Sequence, residues 1–210
     1  MIKAFLASFC AILLSLTVIA APASAGSASS APSQFVQNLG NTALMSLTGK
    51  NITRKAREDR VRKILHDSFD VQAIGKFALG TYWRDATDSQ RKEYMSLFED
   101  MIVQTYTTRF EDYSGQKLKI DGSEASGATD FIVSSQVLQQ DGPPVNLQWR
   151  VRQKDGGLRV VDVVVEGVSM SVTQRSDFAS VIQNGGGNVE ALLAHLRDRK
   201  AAAAADPKKG

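Results

Sequence analysis

The 210-residue chain carries 25 lysines and arginines against 22 aspartates and glutamates, a formal charge of +3, and a single cysteine, Cys10. That near-balance argues against a polyanion-binding surface and against an acid-rich one. A lone cysteine excludes an internal disulfide, so stability must come from a hydrophobic core, which one domain of this length can build.

Met1-Ile2-Lys3 precedes an almost unbroken apolar run over residues 4–20, which closes on Ala23-Ser24-Ala25, a small-x-small cleavage pattern. Residues 1–25 thus read as a Sec-type signal peptide. A membrane anchor needs about 20 apolar residues with flanks that hold it in the bilayer, whereas Pro22 and small residues follow this run at once. A lipoprotein signal does not fit either, because Cys10 sits in mid-run after bulky Phe9. Cleavage would remove Cys10 and Lys3 together and leave a cysteine-free exported chain of charge +2, one below the +3 of the full sequence. Residues 26–33, rich in Gly, Ser, Ala and Pro, are expected to form a flexible spacer, residues 34–200 the folded domain, and residues 201–210 a frayed tail.

Phe35, Leu39, Ala43 and Leu47 recur every four positions and predict a first helix ending near Gly49. A second starts at Asn51 or Thr53; Val61, Ile64, Leu65 and Phe69 make its buried stripe, while Arg54, Lys55, Arg57, Arg60, Arg62 and Lys63 dominate the rest. Asp70 caps a short third helix that Gly80 stops. Thr87-Asp88-Ser89-Gln90 is a capping box. After it Tyr94, Leu97, Phe98, Met101, Ile102, Thr105, Tyr106 and Phe110 mark a long amphipathic helix running to about Tyr113, where Ser114-Gly115 breaks it.

The period then falls from helical to two-residue alternation, and strands are predicted over 117–124, 130–139, 145–153 and 158–166. Asp141-Gly142-Pro143-Pro144 and Asp155-Gly156-Gly157 are turns at hairpin spacing, which implies an antiparallel meander. Leu147, Trp149 and Val151 face one side and Gln148, Arg150 and Arg152 the other, so that strand has one wet face. Val160, Val161, Val163, Val164 and Val165 are apolar on both sides, as in a central strand. Residues 168–172 read as a final strand and 176–183 as a helix; Asn184-Gly185-Gly186-Gly187 interrupts, and Asn188 caps a last helix carrying Val189, Leu192, Leu193 and Leu196. Helices, then a sheet, then helices is an α+β order, a sheet of four to five antiparallel strands covered by helices.

Few residues carry chemistry. His66 and His195 stand far apart, and no His-x-x-x-His or cysteine pattern offers a zinc site, so both read as solvent-edge helix residues. Gly167-Val168-Ser169-Met170-Ser171 opens like a nucleophile elbow but lacks the closing glycine. Gly185-Gly186-Gly187 has no Lys-Ser or Lys-Thr after it, which favours a joint between helices over a phosphate cradle. The basic second helix suits anionic headgroups or an acidic partner, yet Glu58 and Asp59 interrupt it and a solvated face is the plainer reading; export disfavours nucleic acid. No residue set asks for a cofactor. The apolar stripe of the long helix and the valine-rich strand serve equally as packed core or as walls of a cavity under a curved sheet, and periodicity does not separate the two.

Three blocks carry a resemblance. The first is Leu79-Gly80-Thr81-Tyr82-Trp83-Arg84, with Thr87, Gln90 and Arg91 after it and the aromatic helix from Phe98 to Tyr106 beyond. The second is Tyr113-Ser114-Gly115; the third runs from Asp162 to Glu166-Gly167-Val168-Ser169-Met170 and on to Gln174-Arg175-Ser176-Asp177-Phe178. In this order, over residues 35–197, the chain resembles the MlaC or toluene-tolerance auxiliary family, the soluble periplasmic component of the Mla lipid-trafficking system.

That resemblance implies a curved antiparallel sheet covered by helices and enclosing an apolar lipid pocket, in a carrier rather than an enzyme. Its implied partners are phospholipid, an inner-membrane ABC transporter with an MCE-domain ring, and an outer-membrane lipoprotein complex, and its implied role is to maintain outer-membrane lipid asymmetry. On this basis the expected pocket walls are Phe98, Met101, Ile102 and Tyr106 from the long helix with Phe131, Val133, Leu147, Trp149, Val151, Val163 and Val165 from the sheet. Tyr82, Trp83, Arg84 and Arg175 are expected at the headgroup or pocket mouth, with simple closure of the core as the competing role. Relatives associated with hopanoid synthesis share the domain, which leaves that cargo open. A non-lipid envelope scaffold or chaperone, and a small esterase acting through Ser169, are the rival readings.

Overall fold

The computed structural model describes residues 30–49 and 51–205; the expected signal peptide lies outside them. Five helices come first, α1 (Ala31–Leu47), α2 (Arg54–Ser68), α3 (Val71–Leu79), α4 (Tyr82–Asp85) and α5 (Asp88–Glu111). A meander follows, β1 (Lys117–Ala125), β2 (Asp130–Leu138), β3 (Val145–Lys154), β4 (Gly157–Val165) and β5 (Val168–Ser169), and then α6 (Met170–Asn184) and α7 (Val189–Ala205). The α+β order expected from the sequence is the order observed. The five strands form one antiparallel sheet in the order β1-β2-β3-β4-β5.

Local chemistry sets most boundaries. The Thr53 hydroxyl accepts the Ala56 amide at 3.2 Å, Asp70 accepts that of Ala73 at 3.1 Å, and Thr87 with Gln90 forms the reciprocal capping box of α5. Gly80 ends α3 at a positive φ of 63°, a conformation that favours glycine. Among the described residues, none of the helices is long and apolar enough to cross a membrane.

Several boundaries differ from expectation. The spacer expected to reach residue 33 gives way to helix at Ala31, because Pro32 sits in the first turn, where its missing amide hydrogen costs nothing, and both Pro32 and Ser33 are buried. The tail expected from residue 201 is helical through Ala205, as a run of the best helix former allows, and Ala203 is buried. The strand expected over 168–172 pairs only at Val168 and Ser169, and α6 starts at Met170 instead of Ser176. The Ser169 hydroxyl caps that helix from the Val172 amide at 3.2 Å and donates to buried Asp162 at 2.6 Å, while the Ser171 amide donates to Asp162 at 3.1 Å. A carboxylate at a helix N-terminus thus overrides the β-branched pattern.

Strand β4 is central only in part. Beside its upper half lies two-residue β5; beside its lower half the chain between α2 and α3 passes, with Phe69 bridging Val160 and the Asp70 amide donating to the Val160 carbonyl at 2.9 Å. Bulges interrupt the register between Ile120 and Gly122 on β1 and opposite Arg150 and Val151, where Val161 is the extra residue of β4. Bulges bend strands, and this one also reverses side-chain parity, so Val160 and Val163 share a face.

Two separate cores result. The helical core joins residues from α1 through α7, with Tyr94, Phe98 and Phe178 in mutual aromatic contact at 5.6 to 6.1 Å between ring centres. The Tyr94 hydroxyl donates to the Gly75 carbonyl at 2.9 Å, and burial pushes its pKa up. The second core packs Val36 and Phe35 of α1 on Leu118, Ile120, Val133 and Val151 of the sheet. The glycine run serves as the α6–α7 joint: a Cβ on Gly185 would lie 2.3 Å from the Ala191 Cβ, and Gly186 and Gly187 take φ of 91° and 84°.

Candidate functional site: the inner face of the sheet

Strand register places all seven sheet residues expected at a pocket on one face. Phe131 opposes Val151, Val133 opposes Trp149, Trp149 opposes Val163, and Leu147 opposes Val165. Their cover is unequal. Val133 and Val151 are fully buried under α1, and Phe131 and Trp149 pack at that core's margin. Leu147, Val163 and Val165 are half-buried and belong to neither core.

Val137 and Val145, paired across β2 and β3, extend the same uncommitted apolar strip; sequence reasoning missed them, although strict alternation from Val133 and from Leu147 points to both. Ser135, 2% exposed, lies within the strip and accepts the Trp149 indole N–H at 2.9 Å, which fixes the ring's orientation. The opposite face is wet along β3, with Gln148 and Arg150 exposed, whereas their β4 partners Val164 and Asp162 are buried. There Arg152 grips both Asp130 oxygens at 2.8 and 2.7 Å and holds that carboxyl below its ordinary range.

The helical candidates divide similarly. Phe98 and Met101 are sealed in the helical core. Ile102 and Phe110 lie half-buried at its margin, and Tyr106, four residues from each, is 39% exposed on the same stripe of α5. The sheet meets the helical layer through α1 on β1 and β2 and through α2, α3 and α6 on β4, whereas α5 and α7 do not pack closely on it. Half-covered apolar residues therefore remain on both layers.

Three of the four expected mouth residues come together elsewhere. Trp83, Arg84 and Arg175 line a recess of about 460 Å³ on the helical layer, with Lys76, Phe77 and Gly80, and no sheet residue contributes. Tyr82 packs against the helical core beside it. Trp83 is held by Arg91, whose guanidinium lies 5.6 Å from the ring centre and donates to the Trp83 carbonyl at 2.9 Å.

Other chemical candidates have structural uses. Ser169 is a helix cap bonded to Asp162, His66 contacts Glu99 at 3.0 Å, and His195 is exposed. Among the described residues no cluster of His, Cys, Asp or Glu is placed to hold a metal. The basic helix α2 is engaged internally: Arg57 bonds the Leu47 carbonyl and Glu111, Arg62 bonds Glu99 and Asp100, and Lys63 bonds Asp67.

These features define a class, an α+β domain whose open sheet keeps a half-covered apolar face beside a separately packed helical core. The family model described as MlaC protein matches residues 37–198, and the chain belongs to that family. It is 27% identical over 141 residues to the intermembrane phospholipid transport system binding protein MlaC of Haemophilus influenzae, with 65% of each chain covered. It is 24% identical over 136 residues to the toluene tolerance protein ttg2D of Pseudomonas putida, covering 64% of this chain and 63% of that one. The alignments thus span just under two thirds of each relative's length. A phospholipid-binding protein from Ralstonia solanacearum, solved in complex with a phospholipid, superposes with a TM-score of 0.71 at 26% identity, covering 81% of this chain and 97% of that one.

Proposed function

We propose that this chain is a periplasmic phospholipid carrier, exported by its N-terminal segment, that holds acyl chains against the inner face of its sheet. It shuttles lipid between an inner-membrane ABC transporter bearing an MCE-domain ring and an outer-membrane lipoprotein complex, and so maintains outer-membrane lipid asymmetry. The observation that carries this reading is the apolar strip of Leu147, Val163 and Val165, half-buried and absorbed by neither core, in a fold whose solved neighbour holds a phospholipid.

Energetics favour such a site over a shallow groove. Moving one acyl chain of about 16 carbons into water forfeits roughly 0.8 kcal/mol per methylene, or about 13 kcal/mol. Only an extended apolar wall offsets a loss of that size. The lipid-contacting set in this reading is Phe131, Leu147, Trp149, Val163 and Val165 of the sheet with Ile102 and Tyr106 of α5, while Phe98, Met101, Val133 and Val151 support it from within the two cores. The chain binds and carries without catalysing; with no driving reaction of its own, it takes the direction of transport from its partners.

The test is phospholipid recovered with the mature domain from cells grown on radiolabelled acetate. Leu147→Asp and Val163→Asp place a carboxylate on the strip, where burial without a partner is costly, and are expected to lower the recovered label at least about tenfold while the far-ultraviolet spectrum is retained. Equal label in the wild type and in both folded variants would overturn the assignment of the inner face.

A further inference from the structure

The recess on the helical layer is remote in composition from the apolar strip. Lys76 and Phe77 of α3, Gly80, Arg84 of α4 and Arg175 of α6 surround it. None of Lys76, Arg84 and Arg175 forms an ion pair among the described residues, although most other basic side chains on the helices do. Arg175 is nonetheless held in place. Its side chain crosses Gly80 so closely that a Cβ there would come within 2.9 Å of its Nε, and its guanidinium stands 5.3 Å from the centre of the Phe77 ring. Lys76 lies 6.0 Å from the Trp83 ring centre. Aromatic faces fix these cations without using their hydrogen-bond donors. Arg91, on the far side of Trp83, is the contrast: its donors go to the Trp83 and Arg84 carbonyls and to Asp88.

Pre-placed cations with unspent donors are complementary to carboxylates. Apolar contact area adjoins them, since Phe77 is 41% exposed and Val172, one helical turn before Arg175, is 51% exposed. Arginine and aromatic side chains around a pocket are the composition of a protein-binding hot spot. The recess is shallow and open, and it is the aromatic and apolar surface beside the cations, Phe77 and Val172, that favours a protein segment over lipid headgroups alone.

We propose that this recess docks an acidic protein segment, an Asp or Glu side chain entering between Arg84 and Arg175, on one of the two membrane complexes the carrier visits. The inference rests on the shuttling reading above. Docking here leaves the inner face of the sheet free for lipid.

The experiment measures binding of the lipid-loaded mature chain to the purified MCE-ring transporter and to the purified lipoprotein complex, each in zwitterionic nanodiscs, at rising salt. Wild-type affinity for at least one complex is expected to fall with salt, and Arg84→Glu with Arg175→Glu to weaken it at least about tenfold, with co-purified lipid unchanged. Arg84→Gln with Arg175→Gln gives a milder loss if the charge reversal disturbs folding, and Arg159→Glu on the sheet leaves affinity unchanged. Wild-type binding that both double variants retain overturns this proposal alone. A wild-type chain that binds neither complex overturns the shuttling reading and this proposal with it. Loss confined to vesicles of phosphatidylglycerol, with both complexes still bound, would make the recess a membrane site and overturn it too.

Discussion

Single residues show how the helical core stays separate from the sheet. Tyr94 has no exposed surface, and its hydroxyl is spent on the Gly75 carbonyl inside the aromatic cluster, so it closes the core instead of lining a pocket. Tyr94→Phe removes this donor, while the Gly75 carbonyl, within α3, keeps its helical partner, and the change is expected to cost about 1 kcal/mol in urea unfolding with no change in lipid recovered. Sequence spacing marked Tyr94, Phe98 and Met101 as one stripe, which they are. It was silent on which of them face a filled core, because that depends on Phe178 and Gly75, brought up from elsewhere in the chain. Ser169 is similar. Its local setting reads as strand or elbow, and only Asp162 on β4 makes it a helix cap.

At the scale of elements, the legible features are those whose chemistry is local. The capping box of α5, the Asp70 cap, the Gly80 stop and the meander with its turns all lie where spacing puts them. The α6–α7 joint adds a prediction: Gly185→Ala drives a methyl into the Ala191 Cβ, whose position the α7 backbone fixes, and should destabilise by about 1–3 kcal/mol in denaturant unfolding. Asp100 joins three helices, α5 to α2 through Arg62 and to α7 through Lys200. Burial alone would raise its pKa, but the two cations more than offset that and hold it below the ordinary carboxylate range. Its contribution is therefore complete above the unfolded value of about 4 and is lost as pH falls through the lower folded value. Urea titrations at descending pH should show Asp100→Asn less stable than wild type near neutrality, and the difference shrinking in acid.

For the whole molecule, alternation in the sequence identified which sheet residues share a face, but what covers that face depends on α1 folding over β1 and β2 and on α2, α3 and α6 meeting β4. Two cores rather than one were not legible for that reason; of the recess, the resemblance grouped Trp83, Arg84 and Arg175, but not Lys76 and Phe77, which meet Arg175 only through the packing of α3 on α6. In the proposed reading the sheet takes the apolar contact with lipid and the helices the charged contact with a partner. Lipid carriage is the claim on which the rest depends, and native mass spectrometry of the mature domain, purified without detergent from its own periplasm, tests it most directly. The account predicts a one-to-one adduct whose extracted mass is a phospholipid. A bare protein mass that persists after incubation with phospholipid vesicles would contradict it.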